Sequence, residues 1–102
     1  MAVDEYYRGG PSLKPKPGEL KIDRATRLAL PVRGVSVFNR PDNLDRFGGP
    51  YRLTNTPSNL RIVQVGRDPT HSEIVPAYPM SVAEYEAALG TIILVSVPSS
   101  TP

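Results

Sequence analysis

Twelve prolines and eight glycines in 102 residues interrupt this chain too often for long helices, because proline removes an amide donor and clashes with the preceding turn. The pattern favours short strands joined by turns. Against that background the stretch 70–90, THSEIVPAYPMSVAEYEAALG, reads as a buried strand that turns through Pro76 and Pro79 into a capped helix. Ser81 and Glu84 have capping-box spacing: the serine hydroxyl accepts from the Glu84 amide, and the glutamate carboxylate reaches back to the Ser81 amide. Met80 and Tyr85 fall at the two staple positions, and Gly90 falls at C′, where helices end.

The remaining segments are short. Residues 4–8, DEYYR, form a strand candidate that stops at Gly9 and Gly10, and 11–18, PSLKPKPG, form an extended surface loop. From Glu19 to Leu30, the residues Leu20, Ile22, Leu28 and Leu30 alternate while Asp23 could cap a helix through Arg27; the reading taken is a short helix. GVSVF at 34–38 is a strand with Val35 and Val37 on one face and Ser36 and Phe38 on the other. Asp42 can cap a single helical turn before Gly48 and Gly49. Strands follow at 51–54, at 60–65 and within TIILVSV at 91–97, with 98–102 a frayed tail. About six short strands with one to three short helices make a single α+β domain over 1–102, since the crossover helices of a parallel βαβ fold are missing.

With no cysteine and one histidine, disulfides, thiolate sites and cysteine nucleophiles are excluded, and no metal-ligand cluster occurs, so no metal is expected. A domain this small without disulfide staples suits a reducing cytoplasm. The first residues, MAVDEYYRGG, show no signal peptide, and no run reaches membrane-spanning length. No phosphate loop, dinucleotide-binding glycine fingerprint or serine-nucleophile elbow is present.

Residues 24–67 hold eight arginines, Arg24, Arg27, Arg33, Arg40, Arg46, Arg52, Arg61 and Arg67, against Asp42 and Asp45. Arginine forks suit bidentate contacts to phosphate or carboxylate; a solvated basic face would give the same count. The other polar residues of interest sit on separate strand candidates: Tyr7 and Arg8, then Ser36, then His71 and Glu73. His71 and Glu73 flank Ser72, so a strand points both to one face. Both could equally be solvated at a strand start. If the three sets converge, they supply a phosphate grip, a ribose hydrogen bond and electrostatic stabilisation of a cationic sugar.

Three of these segments, YYRGG, GVSVFNR and THSEIVPAYPMSVAEYEAAL, resemble in the same order three blocks of the Tse-two family, small ADP-ribosyltransferase toxins delivered by bacterial type VI secretion. The third block carries most of the resemblance, through Thr70, His71, Ile74, Pro76, Ala77, Pro79, Met80 and the helix after them. The chain departs from the family pattern at Val35, where a threonine precedes the serine, and at Glu73. The resemblance implies a compact split-sheet ADP-ribosyltransferase fold with NAD as substrate. Arg8, with Tyr7, would contact NAD, Ser36 would bond the ribose, and His71 would hold NAD or polarise the reacting centre. Glu73 is the carboxylate available to stabilise an oxocarbenium ion as neutral nicotinamide leaves. The resemblance also implies a monomer acting in a target-cell cytoplasm, an unnamed acceptor macromolecule and a cognate immunity protein. The alternative is a non-enzymatic module whose arginines bind RNA or an acidic protein; against RNA, no pattern interleaves aromatic with basic residues along the chain.

Overall fold

The computed structural model describes residues 5–16, 18–41, 44 and 48–97. The single turn expected after Asp42, the charges Asp42, Asp45 and Arg46, and the 98–102 tail lie outside that set. Six strands form one antiparallel sheet: β1 (Tyr7–Arg8), β3 (Val35–Phe38), β4 (Tyr51–Thr54), β5 (Leu60–Gln64), β6 (His71–Pro76) and β8 (Ile93–Ser96), in the order β5-β6-β3-β1-β4-β8. A second, two-stranded sheet pairs β2 (Leu28–Ala29) with β7 (Met80–Ser81), and β7 runs directly into the helix α1 (Val82–Leu89). The fold is α+β. Among the described residues no helix is long and apolar enough to cross a membrane.

Alternation decides which face of the large sheet is dry. Val35, Val37, Leu60 and Ile74 share the buried core with Tyr85, Ala88 and Leu89 of α1, and Leu53 and Leu94 pack against it. An eight-residue helix is too short to persist alone, so α1 depends on that packing. Its start is half a capping box. The Glu84 amide donates to Ser81 Oγ at 3.0 Å, but the Glu84 carboxylate accepts from the Tyr78 hydroxyl at 3.2 Å instead of returning to Ser81. Met80 and Tyr85 both lie in the core. Gly90 ends the helix with right-handed backbone, φ −66, not the left-handed C′ geometry expected of it. The Thr91 and Ile92 amides then continue in three-residue steps, donating to Ala88 and Leu89.

The helix expected between Glu19 and Leu30 does not form. Asp23 accepts from both the amide and the hydroxyl of Thr26 at 2.8 Å, which holds its carboxyl below the usual range. Arg27 takes φ 63, and the chain doubles back so that Leu30 N donates to Lys21 O. The alternation of Leu20, Ile22, Leu28 and Leu30 was the stronger signal, and Ile22 bridges Ala29 in an antiparallel pair. Asp23 caps a reversal, not a helix.

Two glycines permit close backbone approach. A Cβ on Gly34 would stand 1.7 Å from the Ile74 carbonyl oxygen, and one on Gly49 would stand 2.7 Å from the Arg8 carbonyl oxygen. The first lets β3 enter beside β6, and the second lets the chain leave β1 past the start of β4.

Candidate functional site

β1 is short, and its shortness creates the site. Tyr7 lies opposite Phe38 of β3 and Arg52 of β4, and Arg8 lies opposite Tyr51. The chain then leaves through Gly9 and Gly10, so no residue of β1 lies opposite Ser36. The Arg8 side chain fills the gap: Nη1 donates to the Ser36 carbonyl at 2.7 Å and Nε to the Ser12 carbonyl at 3.1 Å. A guanidinium carries five N–H groups, so this grip leaves others for a ligand. The same grip ties the strap at residues 11–16 to the sheet, while Leu13 anchors the strap in the core.

On the other side of Ser36 stands His71. Phe38 lies opposite His71 and Ser36 opposite Glu73 in the β3–β6 ladder, so all four side chains share the face turned away from the core. His71 Nε2 is 3.1 Å from Ser36 Oγ, and its ring lies 5.5 Å from that of Phe38 at 43°. The turn before β6 is rigidly tied. Asp68 accepts from the amide and hydroxyl of Thr70, which lowers its pKa, and the Gln64 amide nitrogen bonds the carbonyls of Val65, Gly66 and Asp68. His71 therefore starts its strand from a fixed position.

Arg8, Ser36 and Phe38 line a cleft of about 510 Å³ together with Lys14, Lys16 and Glu19. Among the described residues, three cations against one carboxylate line it, which makes it attractive to an anion. Its size is in the range of small-molecule sites. Glu19 also holds the strap, accepting from the Lys16 amide at 2.7 Å. Across the strap a second cleft of about 460 Å³, against Leu89 and Ile92, contains none of Tyr7, Arg8, Ser36, His71 and Glu73.

Arg8 and His71 thus both reach Ser36, Arg8 at its carbonyl and His71 at its hydroxyl. His71, Tyr7 and Glu73 share the neighbourhood without lining the cleft. The Tyr7 hydroxyl donates to Glu5 at 2.7 Å, which raises its pKa. Glu73 is only 6% exposed. Its Oε1 accepts from the Gly34 amide at 3.0 Å and lies 3.6 Å from Nε of the exposed Arg33. Lys14, Lys16, Glu19 and Phe38 were not anticipated as cleft residues; the one available signal was the pair of lysines set among prolines just after Arg8. Among the described residues no three of His, Cys, Asp and Glu gather as a metal-binding cluster.

No protein-family model, curated protein or solved structure matches the chain.

Proposed function

We propose that the protein is an NAD-dependent ADP-ribosyltransferase-type toxin acting inside a target cell. The observation that carries this reading is the meeting of Arg8, Ser36 and His71, from three different strands, beside a cleft lined by three cations and one carboxylate. The resemblance to the Tse-two blocks falls on these same three residues. NAD would supply an activated ribose, linked to nicotinamide as a leaving group. The rest is positioning by the chain. Arg8, Lys14 and Lys16 hold the pyrophosphate. Ser36, oriented by His71, bonds a ribose hydroxyl. Tyr7 lies opposite Phe38, which lines the cleft. Glu73, committed to Gly34 and Arg33, holds the start of β3 in place. The finer fold that goes with this reading is a compact ADP-ribosyltransferase-like sheet opened where β1 leaves. A monomeric toxin, delivered to a target-cell cytoplasm and neutralised by an immunity protein, completes the proposal.

Expression in bacteria is expected to arrest growth, and Ser36→Ala or His71→Ala should each restore growth while leaving the protein folded. NAD should raise the melting temperature of the wild type. Arg8→Lys should be impaired, because an ammonium cannot reproduce two fork-like hydrogen bonds. Normal growth on high soluble expression, together with a melting temperature indifferent to NAD, would overturn the proposal.

A further inference from the structure

Strand register places three rings in a line that chain spacing does not reveal. Tyr7 lies opposite Phe38, and Phe38 opposite His71, so the three occupy one row across β1, β3 and β6 on the face turned away from the core. Adjacent strands are roughly 4.8 Å apart, so the row spans roughly 10 Å. All three side chains are half-buried, unlike Val35 and Val37 on the opposite face, which are fully buried. The row continues through Arg52 on β4 to Val95 on β8. Val95 and its neighbour Ile93 are exposed, at 39% and 57%. The exposed Arg61 of β5 points to the same face by alternation. Of the described carboxylates on this face, Glu5 is engaged with Arg52 at 3.9 Å and the Tyr7 hydroxyl, and the buried Glu73 with Gly34 and Arg33.

We infer that this row is a stacking platform for the unpaired bases of single-stranded nucleic acid. A sheet face that presents aromatic rings at neighbouring strand positions, with arginines at its margins, suits bases splayed from a single strand, because every base has a π-face and the backbone between bases is anionic. A duplex hides those faces in its own stack, so the platform discriminates by strandedness. The row also explains why apolar side chains remain on the open face of β8, where they extend the dry surface beyond Arg52. The inference does not rest on the transferase reading. Phe38 belongs to both the row and the cleft, so if both hold, a bound strand is the macromolecule nearest the cleft and the acceptor is nucleic acid.

The test is fluorescence anisotropy with labelled twelve-nucleotide oligouridine, oligodeoxythymidine and a duplex of the same length, at low and moderate salt and without NAD. A single strand, RNA or DNA, should bind at least tenfold more tightly than the duplex, and the two single-strand arms tell which sugar is preferred. Phe38→Ala and Tyr7→Ala should each weaken binding by roughly tenfold or more, while Phe38→Tyr and Tyr7→Phe keep a ring and should bind like the wild type. Arg52→Ala should weaken binding and flatten its salt dependence. If Phe38→Ala fails to fold, the Tyr7 pair carries the comparison. Equal binding of single strand and duplex, unchanged affinity in the Tyr7→Ala protein, or no binding in any arm would overturn the platform. Because NAD is absent throughout, its failure leaves the transferase proposal to be judged by growth arrest and NAD stabilisation.

Discussion

Glu73 and His71 stand two residues apart on one face of β6, opposite Ser36 and Phe38, yet the two ends of this seam differ in kind. At the Gly34 end, polar atoms are consumed in closing the structure. The Glu73 carboxylate takes the Gly34 amide, and the Tyr85 hydroxyl accepts from the Val35 amide at 3.0 Å while donating to the Ile74 carbonyl at 2.6 Å. Val35 and Ile74 face each other in the ladder, so a side chain from the helix serves the pair from within the core. At the His71 end the strands pair directly, and Ser36 Oγ, the imidazole and the Phe38 ring remain half-buried beside a basic cleft. A polar residue's role here follows from which end of the seam it occupies, not from its type.

The largest test of that contrast is Gly34→Ala. The added methyl would meet the Ile74 carbonyl oxygen, so β3 and β6 must separate; urea denaturation should register a loss of roughly 3 kcal/mol or more. A loss within ~1 kcal/mol would mean the closed end is looser than its hydrogen bonds suggest. Tyr85→Phe comes next, at about 1–3 kcal/mol, because a buried amide and a buried carbonyl each lose a partner.

Tyr85 also sets an alkaline limit. Burial pushes its hydroxyl up from the ordinary 10 to about 12, so the folded state keeps a proton that the unfolded chain loses first. Its contribution to stability is therefore complete below about pH 10 and declines as the pH rises through 12. The wild type should lose more stability than Tyr85→Phe across that interval, since Tyr7 and Tyr78 titrate in both proteins. Parallel pH profiles would remove Tyr85 from the account.

Glu73→Gln keeps an oxygen for the Gly34 amide and gives up only the charge facing the exposed Arg33, so it should cost under about 1 kcal/mol and leave growth arrest intact. Growth restored by Glu73→Gln at unchanged stability would move Glu73 to the functional side of the comparison. The smallest stability effect is expected at the open end. Ser36→Ala and His71→Ala should each change unfolding free energy by no more than about 1 kcal/mol, the worth of one half-exposed hydrogen bond.

Much of the scaffold was legible from local pattern. Alternation, bounding turns and β-branched content together located all six strands of the main sheet, and the Ser81 hydroxyl does cap α1. The sequence misled where two local signals competed. Asp23 looks the same whether it caps a helix or an Asx reversal, and only the pairing of Ile22 with Ala29 and of β2 with β7 decides between them. Gly34 read as a strand boundary; its need for a missing Cβ depends on a carbonyl forty residues later in the chain, at Ile74. The reciprocal half of the capping box is absent too, and the Glu84 carboxylate accepts instead from Tyr78, a contact that capping-box spacing does not show.

By itself, the sequence determined where the six strands of the main sheet and α1 would lie and which side chains would share a face of each of those strands, because a period of two and an N-cap are properties of a few consecutive residues; β2 and β7 emerged only from tertiary pairing. Tertiary structure alone decided which polar groups meet. His71 reaches Ser36 across 35 residues and Arg8 reaches it across 28, and both contacts depend on strand order and register. Register also put Tyr7, Phe38 and His71 in one row, because side chains on neighbouring strands become neighbours only when backbone hydrogen bonds fix how the strands slide past each other.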